Sequence, residues 1–207
     1  MEHSTSRDLT AFVLAGGKSQ RMGRDKAGLS IRDGETLLEH ALALAESVAG
    51  EAKLLAPRAR YAAQAWAGQI VEDIYPDHGP LGGIHAGLVS STTELNLFIG
   101  VDMPLLTAAL LEFVADEARK SRAIVTAPRV EGRVQPLCAV YRREFADVAE
   151  KALREERNKI DALFSDIKIR TIEESELRAA GFGVELFANV NTPKEYERFQ
   201  RNLENEE

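Results

Sequence analysis

Short apolar runs alternate with amphipathic helical segments along most of this sequence, and this alternation restricts the fold more than any other feature. Residues 11–15 (AFVLA) form an uninterrupted apolar run, which is typical of a strand buried on both faces. The first helical segment begins at Thr36, where Thr36 and Glu39 have the spacing of a capping box. Strands alternating with helices predict an α/β fold with a mostly parallel sheet. The predicted strands cover 11–15, 53–56, 69–72, 96–101, 123–127, 134–141, 167–172 and 184–190, and the predicted helices cover 36–48 (with Gly50 as C-cap), 107–120, 144–154 and the segment that follows the N-cap Thr192.

Size, charge and cysteine content narrow the class of protein. A chain of 207 residues predicts one domain over 1–207, with irregular ends at about 1–8 and 202–207. The net charge of −7 disfavours nucleic-acid and anionic-membrane partners, because both require a basic face. No apolar run approaches the ~18 residues of a membrane span, and the N-terminus lacks a signal-peptide core. We therefore expect a cytoplasmic protein, with the single Cys138 in the core rather than acting as a nucleophile.

The segment 14–26 (LAGGKSQRMGRDK) directly follows the first predicted strand and combines glycines with cations. Glycine allows backbone N–H groups to approach an anion closely, and cations at the rim of such a loop suit a polyphosphate. Neither the Walker A spacing nor G-x-G-x-x-G occurs in it. The alternative is a solvated basic turn, which the length of the string disfavours.

Two carboxylates follow predicted strands. Asp73 comes after the strand at 69–72, and Asp102 comes directly after the strand at 96–101. In open α/β sheets, ligands bind beyond the carboxyl ends of the strands. Mg²⁺ is usually held by one or two carboxylates together with substrate phosphates, and Asp102 fits that role. For Asp102 the alternative is a helix-initiating turn.

Five segments, in chain order, resemble the motifs of the MobA family, the molybdenum cofactor guanylyltransferases. They are residues 14–26, 79–83 (GPLGG), 102–104 (DMP), 135–137 (QPL) and 189–193 (NVNTP). The resemblance implies a three-layer αβα Rossmann-like nucleotidyltransferase fold and an enzyme that transfers GMP from GTP to molybdenum-bound molybdopterin. It implies Mg²⁺ as the cofactor. It also makes other proteins of molybdenum-cofactor biosynthesis, or molybdoenzyme chaperones, candidate partners.

The same resemblance implies roles for individual residues. By this pattern Leu14, Ala15 and Gly16 would contact the guanosine, Asp73 the nucleotide, Lys26 the phosphates, Asp102 the Mg²⁺ ion, and Asn189 and Asn191 the pterin. We also expect Gly17 to bind the nucleotide, and Arg21 to offset charge on the leaving pyrophosphate together with Lys26.

One departure from the family pattern concerns base recognition. The family often has Asn near the end of the second strand, whereas residues 54–57 read LLAP here. The side-chain amide that the family pattern implies for a base contact near Ala56 is therefore missing from this sequence. Gly16 favours GTP, because the related cytidylyltransferases typically have Ala at that position. A cytidylyltransferase, a sugar-phosphate nucleotidyltransferase and a non-catalytic nucleotide-binding protein remain the alternatives.

Overall fold

Eight strands form one mixed sheet in the computed structural model, which describes residues 6–15, 26–31, 34–61 and 70–204. The strands are β1 Ser6–Leu14, β2 Ala49–Leu55, β3 Ile70–Val71, β4 Leu95–Gly100, β5 Val125–Val130, β6 Arg133–Val134, β7 Cys138–Arg142 and β8 Ile169–Ile172. Their order in the sheet is β3-β2-β1-β4-β7-β5-β6, and β8 pairs with β5. β7 runs antiparallel to β4 and β5, β6 runs antiparallel to β5, and the other pairs are parallel. The prediction of a mostly parallel sheet is confirmed.

Helices cover both faces of this sheet, because successive side chains of a strand point to opposite sides. The helices are α1 Leu37–Val48, α2 Arg58–Tyr61, α3 Pro80–Ser90, α4 Ala108–Lys120, α5 Phe145–Arg154, α6 Glu174–Ala179 and α7 Pro193–Glu204. Ala11 and Val13 pack into a core with α1 and α4, whereas Phe12 packs into a second core with α3 and α5. The rings of Phe12 and Phe98 stack there with centroids 4.8 Å apart. The three-layer αβα arrangement is confirmed.

The predicted start of α1 is confirmed at atomic level. The Glu39 N–H donates to Thr36 Oγ1 at 3.2 Å, and the Thr36 N–H donates to Glu39 Oε2 at 2.8 Å. The predicted last residue, Val48, is also confirmed, but the predicted C-cap is wrong. Ala49 is the C-cap, and Gly50 already lies in β2 because the chain passes directly from helix to strand.

Two predicted strands differ from the structure. The segment 184–190 contains the 3₁₀ helix Val184–Phe187 instead of a strand, and its apolar residues Phe187 and Val190 are buried without ladder pairing. The predicted strand 134–141 is interrupted around Pro136, which has no N–H to donate. As a result β6 ends at Val134 and β7 begins at Cys138.

Regular structure extends further toward both chain ends than predicted, and two short helices were not predicted. β1 begins at Ser6 and α7 ends at Glu204, so both reach into ranges that we expected to be irregular. The short helices α2 and α6 were not predicted, because four and six residues are too few to establish a helical period. Within the described residues, no helix combines the length and hydropathy needed to cross a bilayer.

Candidate functional site at the carboxyl edge of the sheet

The carboxyl ends of β1, β2 and β4 are joined beyond the last paired residues of these strands. The Ala15 N–H donates to the Leu55 carbonyl at 3.1 Å, and the Val101 N–H donates to the Leu14 carbonyl at 3.1 Å. The Ala56 N–H continues this pattern toward β3 by donating to the Val71 carbonyl at 3.2 Å. The segments that carry Leu14, Asp73 and Asp102 therefore end at one edge of the sheet.

Asp73 lies against the first turn of α3. A Cβ built on Gly82 would lie 2.7 Å from the Tyr75 carbonyl oxygen and 3.3 Å from Asp73 Oδ2. A Cβ built on Gly83 would lie 3.5 Å from Asp73 Oδ1 and 3.4 Å from Leu14 Cδ2. The two glycines therefore let the helix approach the Asp73 carboxylate and the Leu14 side chain. This juxtaposition forms one wall of the site.

The Asp73 carboxylate has a shifted pKa. Its side chain is exposed, yet the protein around it is dense enough for desolvation to raise its pKa above the usual aspartate value. A carboxylate held this way is poised to accept hydrogen bonds from a ligand that supplies donors.

Asp102 lies in the turn after β4, half-buried, and is held by its neighbours. Met103 is buried in the core, and its N–H donates to the Gly100 carbonyl at 3.3 Å. A Cβ built on Gly100 would lie 2.6 Å from Asp102 Oδ1, so in this conformation the carboxylate occupies space that the glycine leaves open. The Gly100 N–H donates to the Leu137 carbonyl at 3.0 Å, which places the segment 135–137 beside the same turn.

The tail motif around Asn189 and Asn191 contacts the Asp102 turn directly. The Val190 N–H donates to the Asp102 carbonyl at 2.8 Å. Asn189 is exposed and Asn191 is half-buried on either side of this anchor. Two motifs distant in sequence are thereby adjacent in space.

The start of α7 follows immediately and has the predicted capping box. The carboxylate oxygen Glu195 Oε2 accepts the Asn191 N–H at 2.7 Å and the Thr192 N–H at 2.8 Å. The Glu195 N–H donates to Thr192 Oγ1 at 3.2 Å. The backbone on which Asn191 stands is therefore fixed relative to the helix.

The glycine-rich loop is the part of the site that the structure describes least. Gly16, Gly17 and Arg21 lie outside the described residues. The backbone of Lys26 begins a short 3₁₀ turn, Lys26–Gly28. Leu14, Ala15, Asp73, Asp102, Asn189 and Asn191 are the predicted site residues that the structure brings to the same edge.

The donor set at Asp102 suits one kind of metal site. Among the described residues, no three His, Cys, Asp or Glu side chains cluster closely enough to form a protein cage for a metal ion. Mg²⁺ commonly takes one or two carboxylates and completes its octahedron with waters and phosphate oxygens. A half-buried Asp102 carboxylate in the space beside Gly100 could hold an Mg²⁺ ion that arrives with a nucleotide.

Two reactive side chains lie outside this arrangement. Cys138 is buried, and desolvation raises the pKa of its thiol to about 12, which confirms its assignment to the core. His85 is buried within α3, and its ring meets the Tyr75 ring edge-on at 5.3 Å.

Several positioning residues were not predicted from sequence. Gly100 and Leu137 shape the Asp102 turn, and Val190 anchors the tail motif, but each is an ordinary strand or loop residue in sequence. The family resemblance gave the signals that could have found two of them, because Leu137 lies in the segment 135–137 and Val190 lies in the segment 189–193.

Comparison with known proteins decides the family. The profile of the MobA-like NTP transferase domain matches residues 11–169. This chain belongs to the MobA-like NTP transferase family. Membership confirms the resemblance seen in the motifs and the assignment of an enzyme, a nucleotidyltransferase, over a non-catalytic nucleotide-binding protein.

Relatives of this MobA-like chain match it over nearly its whole length. A molybdenum cofactor guanylyltransferase from Desulfosudis oleivorans is 31% identical over 92% of this chain and 93% of its own. A probable molybdenum cofactor guanylyltransferase from Carboxydothermus hydrogenoformans is 33% identical over 93% of this chain and 95% of its own.

Solved structures show the same fold. Molybdopterin-guanine dinucleotide biosynthesis protein A from Archaeoglobus fulgidus superposes with a TM-score of 0.83 at 23% identity, over 95% of this chain and 99% of that one. The 2-C-methyl-D-erythritol 4-phosphate cytidylyltransferase from Thermus thermophilus has a TM-score of 0.70 at 17% identity, over 94% of this chain and 98% of that one. At these identities the likeness establishes the fold of the MobA-like chain.

Proposed function

We propose that this protein transfers GMP from GTP to molybdenum-bound molybdopterin, forming the guanine dinucleotide form of the cofactor and releasing pyrophosphate. The observation that carries the proposal is the hydrogen bond between Val190 and Asp102, because it joins the motif proposed for the pterin to the carboxylate proposed for the metal. The names of the two relatives, which match over more than nine-tenths of the chain, support the same reaction.

The nucleotide would lie where β1 ends and α3 begins. The Ala15 N–H is already donated to Leu55, so this segment would meet guanosine through the Leu14 side chain, the Ala15 carbonyl and the following glycines, Gly16 and Gly17. The Asp73 carboxylate would accept hydrogen bonds from the nucleoside. The missing Asn of the second strand is consistent with this arrangement, because Ala56 is buried with its N–H donated to Val71.

The triphosphate would extend from there toward Asp102. Lys26 and Arg21 would offset charge on the α-phosphate and on the leaving pyrophosphate. Asp102 would hold Mg²⁺, which when bound neutralises charge on phosphate oxygens. Gly100 leaves the space that the Asp102 carboxylate occupies beside this path.

The acceptor would approach from the tail-motif side. Its terminal phosphate oxygen attacks the α-phosphorus of GTP, a new P–O–P bond forms, and the bond to the β-phosphate oxygen breaks. A phosphate nucleophile is already ionised at neutral pH, so the task of the protein is to align the two phosphates and stabilise their charge. Asn189 and Asn191 would orient the pterin for this attack.

Mg²⁺-dependent thermal stabilisation with GTP, CTP, ATP and UTP tests nucleotide choice. A ligand that binds only the folded state stabilises it by RT ln(1 + [L]/Kd), so GTP should give the largest shift. Equal shifts with GTP and CTP would reject the guanine assignment, and no shift with any nucleotide would reject the nucleotide site. Mass spectrometry of the product formed from GTP and molybdenum-loaded molybdopterin then tests the acceptor.

We propose that this protein acts in the cytoplasm and that its partners are proteins that deliver or receive the pterin.

A further inference from the structure

The start of α7 is tied to the protein by two hydrogen bonds that lead to opposite sides of the proposed active site. The first is the bond from Val190 to Asp102 described above. In the second, the Tyr196 hydroxyl donates to the Ser30 carbonyl at 2.6 Å. Ser30 lies a few residues beyond Lys26, in the chain that emerges from the glycine-rich loop.

The Tyr196 hydroxyl is held in place from its own helix. Gln200 Nε2, one turn further along α7, donates to the Tyr196 hydroxyl oxygen at 2.9 Å. With that oxygen accepting from Gln200, the hydroxyl proton is directed to Ser30. Glu195, the residue before Tyr196, completes the capping box that fixes the backbone of Asn191.

The Tyr196 hydrogen bond joins the start of α7 to the segment 26–31, and these two segments differ in how they are anchored to the rest of the protein. The segment 26–31 is also bonded to the start of α1, where the Leu37 N–H donates to the Leu29 carbonyl at 2.8 Å and the Ile31 N–H donates to the Glu35 carbonyl at 2.7 Å. Loss of the Tyr196 bond therefore leaves that segment anchored. The tail motif before α7 would retain its bond to Asp102 but lose this hydrogen bond to the nucleotide side.

We propose that Tyr196 is a positioning residue that couples the pterin-binding segment 189–191 to the chain that follows the phosphate-binding loop. This inference rests on the proposed function. Through Tyr196 and Ser30, binding of the nucleotide stabilises the orientation of Asn189 and Asn191. The acceptor then meets a segment already aligned with the α-phosphate.

Steady-state kinetics of Tyr196→Phe test the proposal, because this substitution removes only the hydroxyl. A hydrogen bond of this kind contributes about 0.5–1.5 kcal/mol, so the KM for the acceptor should rise about 2- to 12-fold. The Kd for GTP, measured without acceptor, should stay within about twofold, because the segment 26–31 keeps its bonds to α1. The matched control is Gln200→Leu, which keeps the bond from Tyr196 to Ser30 and should change the acceptor KM less. An unchanged acceptor KM in an active Tyr196→Phe enzyme would overturn the proposal, as would equal losses for both substrates.

Hydrogen–deuterium exchange gives a readout independent of turnover. In the wild type, Mg²⁺ and GTP should slow exchange in the peptide that spans 189–192, and Tyr196→Phe should abolish that protection. Without nucleotide, the variant should exchange faster than wild type in the same peptide, and equal exchange would overturn the inference. If the wild type fails to bind any nucleotide, the proposed function fails, while the comparison without nucleotide still decides whether Tyr196 holds the tail segment.

Discussion

The Val190 N–H donates to the carbonyl oxygen of Asp102 across 2.8 Å, so the backbone between Asn189 and Asn191 is attached to the turn that carries the proposed metal ligand. Backbone bonds of this kind leave side chains available for substrate while fixing where those side chains begin. The segment 189–191 and the Asp102 turn therefore form one structural unit at the carboxyl edge of the sheet.

Replacing Asp102 by Asn should lower GMP transfer by roughly 10²–10³-fold, because it removes charge that would hold Mg²⁺ against the phosphates. The backbone bond to Val190 involves the carbonyl and is retained, so thermal stability should change little. Turnover at saturating Mg²⁺ is the measurement. Asp147→Asn, on the exposed face of α5, is the matched control and should match the wild type. Near-normal turnover of Asp102→Asn would remove Asp102 from the mechanism.

Gly82→Ala should weaken nucleotide binding and lower the melting temperature. The new methyl group would lie 2.7 Å from the Tyr75 carbonyl oxygen, so the backbone of the loop or of α3 must move. Overpacking of this kind typically costs about 1–3 kcal/mol. Calorimetry with GTP and thermal melting measure the two effects. Gly183→Ala is the control. The atoms nearest to its new methyl group belong to the flexible carboxylate end of Glu185, so its melting temperature and nucleotide affinity should be nearly unchanged. Equal behaviour of the two variants would show that α3 does not need the close approach.

Asp73→Asn should separate stability from binding. Desolvation raises the pKa of Asp73, so above the usual aspartate value the folded state holds more protons than the unfolded state. Its contribution to the unfolding free energy therefore falls as pH rises through the window above about 3.9. The Asn variant should consequently melt higher than wild type at pH 7, with the difference disappearing in acid, while its affinity for GTP decreases. A variant that melts lower at pH 7 would contradict this account.

His85 should make the protein less stable in mild acid. Burial lowers the pKa of His85, an effect that the Glu150 carboxylate partly opposes, and the Nδ1 atom makes no hydrogen bond within the described part of the chain. A depressed histidine pKa contributes stability that is present above about 6.5 and is lost as pH falls below that value. Thermal melting between pH 5 and 8 should therefore show a smaller acid loss in His85→Leu than in wild type. The control His40→Gln changes a histidine at the surface of α1 and should retain the full loss.

Elements with a strong local signal were predictable. The apolar run at 11–15 became β1 because an uninterrupted apolar strand is stable only between two layers. Thr36 and Glu39 capped α1 because their hydrogen bonds are made within one turn. The segment 184–190 also carries apolar residues, yet it forms the 3₁₀ helix Val184–Phe187 and pairs with no strand of the sheet. Whether such a run becomes a strand depends on the rest of the sheet.

The sequence by itself determined the αβα architecture, the family and the residue types available for chemistry, because apolar period, capping and motif spacing are local properties of the chain. The hydrogen bonds from Val190 to Asp102 and from Tyr196 to Ser30 depend instead on the three-dimensional arrangement of the elements. These contacts join residues far apart in sequence, and they exist because parallel strands bring their carboxyl ends to one edge, where the last helix returns. No local pattern encodes such a meeting, since its geometry depends on how the whole sheet is ordered.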